Sequence, residues 1–189
     1  MKTTQIILEH LIAGVQATVW IALIILSFFG FDWIEFKLFA LQETLLTVVI
    51  LSFVYPLGII IDNLADTLLK KKEFKIRKAV PGGTRSLRGL IQQSPDQGLE
   101  EYFDYLRMRI RISRSAFLNL SLITISLFFF IIFRLSAYIK INIYAVVFSE
   151  LIMGGLLVFL AYYSWYLLTI SFRDKIVKRY DELEKNQEE

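Results

Sequence analysis

The sequence predicts an all-α integral membrane protein, built from four transmembrane helices whose cytoplasmic ends continue as helical extensions. Three observations predict it. Of the 189 residues 56% are hydrophobic, with 16 Phe and a mean hydropathy of +0.54, which is too apolar for an ordinary soluble domain. Four apolar runs are each long enough to cross a bilayer, which takes roughly 20 residues at about 1.5 Å of rise. The charge is unevenly spread, because the net +3 conceals a block from Leu64 to Arg114 holding 12 of the 21 Lys and Arg.

The runs cover about Leu11 to Gly30, Leu41 to Ile61, Ala116 to Phe133 and Ile143 to Phe172. Basic residues in short loops stay on the cytoplasmic side of a membrane. The connection between the second and third runs carries the 12 basic residues, and Arg173, Lys175, Lys178 and Arg179 follow the fourth. The other two connections carry only Lys37, and then Arg134 with Lys140. Both termini and the middle loop are therefore expected in the cytoplasm, with the spans in the inner (plasma) membrane. The chain then divides into a first transmembrane hairpin over residues 1–63, a basic cytoplasmic loop and helix over 64–114, a second hairpin over 115–172 and a cytoplasmic helical tail over 173–189.

The first run differs from a signal peptide in having only Lys2 as an n-region base, Glu9 and His10 ahead of the apolar part, and no small-x-small cleavage site, so it reads as a retained helix. Gln16 is expected to bond a neighbouring helix, since a polar side chain facing lipid is costly, and Gly14 with Ala17 offers a small face for close approach. The connection that follows sets Phe31, Trp33, Phe36 and Phe39 between single charges, which suits the headgroup layer.

The second run holds the stretch from Tyr55 to Asp66. Pro56 cannot donate a backbone bond to Ser52, so a kink is expected there, with Gly58 adding freedom and the Ser52 hydroxyl available for the freed group. A static bend is the plain reading and a gating hinge the functional one. Asp62 and Asp66 share one helical face and repel by a few tenths of a kcal/mol unless a cation sits between them. The basic run Lys70, Lys71, Lys72, Lys75, Arg77 and Lys78 should lie against anionic headgroups, each base contributing about 1 kcal/mol. Nucleic acid is not an expected partner, because Phe74 is the lone aromatic in the run that could stack a base.

Between Ala79 and Gly98, turn signals at Pro81, Gly82, Gly83, Ser94 and Pro95 bracket a short apolar piece with Leu87, Leu90 and Ile91. No strand precedes the glycines and no Gly-Lys-Ser/Thr follows, which removes a phosphate-loop reading. From Leu99 to Phe133 no breaker occurs, and acids come first and bases last, as the helix dipole favours. Such a helix is about 50 Å long and must project beyond a bilayer. Tyr102, Phe103, Leu106 and Ile110 form an apolar stripe on its projecting part. Arg107, Arg111 and Arg114 share another face at the height of Asp62 and Asp66, so an Asp–Arg lattice between the second and third helices is expected, with independent solvation as the alternative. Ser115, Asn119 and Ser126 fall near one stripe and should cross-link helices.

Arg134 and Glu150 are expected to pair at membrane depth, where ionisable groups find partners or line a cavity, with Glu150 at the outer interface as the alternative because the fourth run is longer than one crossing requires. Gly154 and Gly155 offer a close-packing point, and Tyr162, Tyr163, Trp165 and Tyr166 an aromatic band. Ile176, Val177, Tyr180 and Leu183 keep one face apolar in the tail.

The absence of cysteine excludes disulfides, thiolate metal sites and a cysteine nucleophile, and a sole histidine, His10, gives no pair for haem or metal. No cofactor is expected and no catalytic motif is visible, so the chain does not read as an enzyme. The functional expectation is a small oligomeric inner-membrane protein that controls permeability through its basic cytoplasmic portion. Four helices enclose little space, so a pathway would form between copies of a homo-oligomer. One alternative is an anchor or sensor that recruits a soluble cytoplasmic protein, with a bacterial stress or phage-defence system as a setting. Another is a membrane enzyme acting on a charged headgroup held by the Asp pair and the Arg row. The pattern resembles that of small four-helix bacterial inner-membrane proteins, a likeness of architecture without a diagnostic motif.

Overall fold

The computed structural model describes residues 2–30, 43–82, 87, 89–90, 97–137 and 142–188. Those residues are helical apart from short turns, and no strand occurs among them. In chain order they form α1 (Lys2–Phe29), α2 (Glu43–Ala79), α3 (Gln97–Phe133), a 3-10 turn at Leu135–Ala137 and α4 (Ile143–Glu188). All four helices are long and apolar enough to cross a membrane. At 37, 37 and 46 residues, α2, α3 and α4 run well past the roughly 20 residues that one crossing takes. The aromatic connection at 31–42, Lys140 and most of the turn signals between 83 and 96 lie outside the described residues.

Helix α3 is central, packing along α1 and α4 and touching α2, while α1 also packs along α2. Contacts such as Arg111 with Glu9 and Arg134 with Ser27 set α1 parallel to α3, and α2 and α4 return in the opposite direction. One end of the bundle is therefore apolar and the other, where α2, α3 and α4 extend, is charged.

Small residues decide how closely α1 and α2 meet. A Cβ on Gly14 would collide with the Val54 carbonyl, and one on Gly58 with the His10 carbonyl. Ala13 and Ala17 of α1, Ile61 and Ala65 of α2 and Leu118 of α3 fill the adjoining core. The freedom expected of Gly58 is therefore replaced by a packing role, because its missing side chain is where the α1 backbone rests. Helix α2 continues through Pro56, which is exposed, and the Ser52 hydroxyl donates to the Val49 carbonyl at 2.6 Å.

Polar residues join α1 to α3 inside the apolar half. Asn119 is fully buried, accepts from Trp20 Nε1 at 3.2 Å, and donates to the Ala13 carbonyl at 2.9 Å and to Gln16 Oε1 at 3.4 Å. Here a side-chain amide with two donors and an acceptor is nearly saturated, which is what burial of such a group requires. Ser115 and Ser126 are buried on the same helix.

The helical extensions at the charged end pack on a second core. Phe103 and Leu106 of α3 meet Phe172 and Ile176 of α4, and Leu87 and Leu90 close over them, with Ile110, Tyr180 and Leu183 at the margin. Each large side chain fully buried there contributes about 1.5–3 kcal/mol relative to exposure in water. Tyr102 stays exposed and its hydroxyl accepts from Lys175. The band expected on α4 is divided, since Tyr163 and Tyr166 are exposed whereas Trp165 is buried against Leu69 and Ile76 of α2.

If α1 and α2 touch through Gly58, Gly58→Ala should destabilise the protein by about 1–3 kcal/mol, because a carbonyl must move. Gly155 has nothing within 4 Å of an added Cβ, so Gly155→Ala should be neutral or slightly stabilising. Unfolding in detergent followed by circular dichroism compares the two, and equal effects would refute the close approach.

Candidate functional site

Where the apolar half gives way to the charged half, five arginines from three helices gather around one cavity of about 480 Å³. Helix α2 contributes Asp66, Glu73 and Arg77, and α3 contributes Arg107, Ile110, Arg111 and Arg114. Thr169, Phe172 and Arg173 of α4 and Leu87 complete the wall. The arrangement follows from helix geometry. Spacings of four and three put Arg107, Arg111 and Arg114 in one row of α3, and the antiparallel α2 brings its acidic face to the upper end of that row.

Arg114 is 7% exposed and bridges the acidic pair, Nη2 donating to Asp62 Oδ1 at 2.9 Å and Nη1 donating to Asp66 Oδ1. Ser115 Oγ donates to the same Asp62 oxygen at 3.2 Å. Arg111 does not join this bridge. Its Nη2 donates to Glu9 Oε1 at 3.1 Å and its Nε lies 2.9 Å from Oε2, so it ties α3 to α1. Arg107 lies 3.7 Å from Asp104 on its own helix. The lattice expected between α2 and α3 thus runs through Arg114 alone, because Glu9 is nearer to Arg111 and Arg107 is one turn too far from the acids. Across the cavity Arg173 Nη2 donates to Glu73 Oε1 at 3.3 Å, tying α4 to α2.

Charge around the cavity is arranged asymmetrically. Glu9, Asp62 and Asp104 compensate three of the guanidinium groups without lining the space, so its wall carries five arginines against Asp66 and Glu73. The Nε groups of Arg114 and Arg173 are buried with no hydrogen-bond partner among the described residues. A buried donor left in that state costs about 1–3 kcal/mol. The guanidinium groups that line the cavity carry the forked donor geometry that suits an oxyanion. No group of three His or acidic residues able to hold a metal ion occurs among the described residues.

Most of the basic run on α2 faces away from this site. Lys70, Lys71, Lys72, Lys75 and Lys78 are exposed, Lys72 lying 4.6 Å from the centroid of the Tyr162 ring and Lys78 at the same distance from that of Phe74. Arg77 turns toward the cavity instead, and Lys70 lines an adjoining space with Asp66, Glu73 and Arg173. Pro56 and Gly58 lie further along α2, in its apolar part.

The expected pair of Arg134 and Glu150 does not form. Arg134 Nε donates to the Ser27 carbonyl at 3.0 Å and Nη2 donates to that of Phe28, so the guanidinium caps the last turn of α1. That helix ends at Gly30, with φ at +75° and its N–H donating to the Leu26 carbonyl at 3.0 Å. The carbonyls at a helix C-terminus attract a cation, and Arg134 takes that place on α1. Both carboxylate oxygens of Glu150 are buried without a hydrogen-bond partner among the described residues.

Glu9, Glu73 and Arg173 were not singled out by the sequence as members of this site. Glu9 had a legible signal, since Glu9, Ala13, Gln16 and Trp20 fall on one stripe of α1 at spacings of four, three and four, and that stripe faces α3. Glu73 and Arg173 meet only through the packing of α2 on α4, which no local spacing reveals. Comparisons with family models, with characterised proteins and with solved structures give no match for this chain.

A double-mutant cycle on Asp62→Asn and Arg114→Gln should return a coupling of about 1–3 kcal/mol in unfolding free energy. The cycle on Asp62→Asn with Arg111→Gln should return a coupling near zero, because Arg111 is held by Glu9. Equal couplings would mean that the row acts as a diffuse field and not as two separate ties.

Proposed function

We propose that the protein is a small oligomeric membrane effector that controls permeability and is switched from its charged end, which lies in the cytoplasm. The observation that carries the reading is Arg114, a buried cation that locks Asp62 and Asp66 of α2 onto α3 beside an open cavity. The four apolar helices support a multi-pass membrane protein, and the basic charge between α2 and α3 and after α4 supports placing that end and both termini inside. Helix α2 carries Pro56 between this tie and its far end, so releasing the tie would free an element already weakened in its backbone bonding. Two states of one helix, biased by what occupies the cytoplasmic side, are the minimum a switch needs.

A pathway would run between copies, since the contacts of Gly14 with Val54 and of Gly58 with His10 leave no room between α1 and α2. Exposed large side chains along the apolar half, including Phe53, Phe148, Met153 and Phe159, are available to lipid or to a second copy. The exposed lysines from Lys70 to Lys78 would rest on anionic headgroups.

Liposomes holding the purified protein test the reading. Arg114→Gln should raise potassium flux several-fold over the wild type, and Lys178→Gln should leave it unchanged. Absence of flux from both Arg114→Gln and the wild type would remove the effector and leave the anchor or sensor that recruits a soluble partner. Topology is tested separately by reporter fusions at residues 37 and 90, expected outside and inside respectively. A cytoplasmic signal at 37 would overturn the orientation.

A further inference from the structure

We propose that the arginine cavity is a receptor site for an organic phosphate, a phosphomonoester carried either by a lipid headgroup or by a soluble molecule. The donors decide the charge of the occupant. Arg107, Arg111 and the largely buried Arg114 approach from α3, Arg77 from α2 and Arg173 from α4. A carboxylate offers two oxygens in one plane, whereas donors converging from three helices suit the three terminal oxygens of a tetrahedral phosphate.

The cavity also decides that the phosphate has a carbon body. Its volume of about 480 Å³ far exceeds what a bare oxyanion fills and falls within the range of small-molecule sites, about 300–1,000 Å³. Ile110, Phe172 and Leu87 form an apolar part of the wall against which that body would lie.

The occupant would compete with a group that is easily given up. Asp66 has half of its side chain exposed and shares Arg114 with the better buried Asp62, so a phosphate on Arg114 displaces Asp66 first and loosens one of the two ties between α2 and α3. The consequence for switching rests on the permeability reading above. Binding itself does not, and it is measured without flux, so the two can fail separately.

The experiment uses the full-length protein in phosphatidylcholine nanodiscs, titrated calorimetrically with AMP and, separately, with the water-soluble dihexanoyl phosphatidic acid. Wild type should bind at least one probe. Arg107→Gln and Arg173→Gln should each weaken that binding about ten-fold, as loss of a charge-assisted donor pair implies. Arg179→Gln, a base at the same end that does not line the cavity, should bind within about two-fold of wild type. Binding of AMP alone identifies a soluble phosphate and binding of the lipid alone a headgroup, while binding of both makes the phosphomonoester the determinant. The proposal is overturned if neither probe binds, or if Arg179→Gln weakens binding as much as the cavity variants. Unfolding midpoints without ligand check each variant, and if Arg173→Gln does not fold, the exposed Arg107→Gln decides.

Discussion

The arrangement depends on a charge that has nowhere to go. Arg114 lies between α2 and α3 with 7% of its surface exposed, and a guanidinium buried without counter-charges is prohibitively costly. Asp62 and Asp66 meet that requirement only at one relative height of the two helices. A slide of a single turn, about 5.4 Å, would leave Arg114 facing one acid of the pair instead of both. The tie between Glu9 and Arg111 imposes the same condition on α1 and α3, so three helices are set in register by two arginines one turn apart.

Apolar packing alone would not fix that register. Leu, Ile and Phe dominate the facing surfaces, and such surfaces slide past one another at modest cost when the solvent outside is also apolar. Specificity comes from three kinds of contact placed along α1 and α3: the ion pairs at the charged end, the Asn119 cluster in the middle, and Arg134 on the last carbonyls of α1 at the far end. Between them, glycine and alanine bring α1 against α2. The second core, built on Phe103 and Phe172, then holds the extensions together where hydrophobic burial is effective.

Much of this was legible in the sequence, and the boundary of legibility is physical. Helix number, extent and the apolar faces follow from periodicities within one element, so Gln16, Asn119 and the stripe through Phe103, Leu106 and Ile110 could be read directly. The Arg row and the Asp pair could each be recognised for the same reason. Which arginine meets which acid could not, because it depends on where along its axis each helix stops against its neighbour. Glu150 and Arg134 show the error this produces: membrane depth favoured a pair, yet the C-terminus of α1, a separate element, supplied the acceptors that Arg134 takes. Trp165 shows another, as its neighbours on α4 face outward and only the position of α2 explains its burial.

The cap that Arg134 places on α1 has a consequence for how the chain is made. The Ser27 and Phe28 carbonyls find this guanidinium more than 100 residues downstream, and Glu9 finds Arg111 at a separation of 102. A ribosome that has released α1 and α2 has therefore delivered a hairpin with an uncapped end and an uncompensated acid. Both defects are mended by α3, one near its start and one at its close. The contacts that fix both ends of α1 therefore form only after α3 has been made.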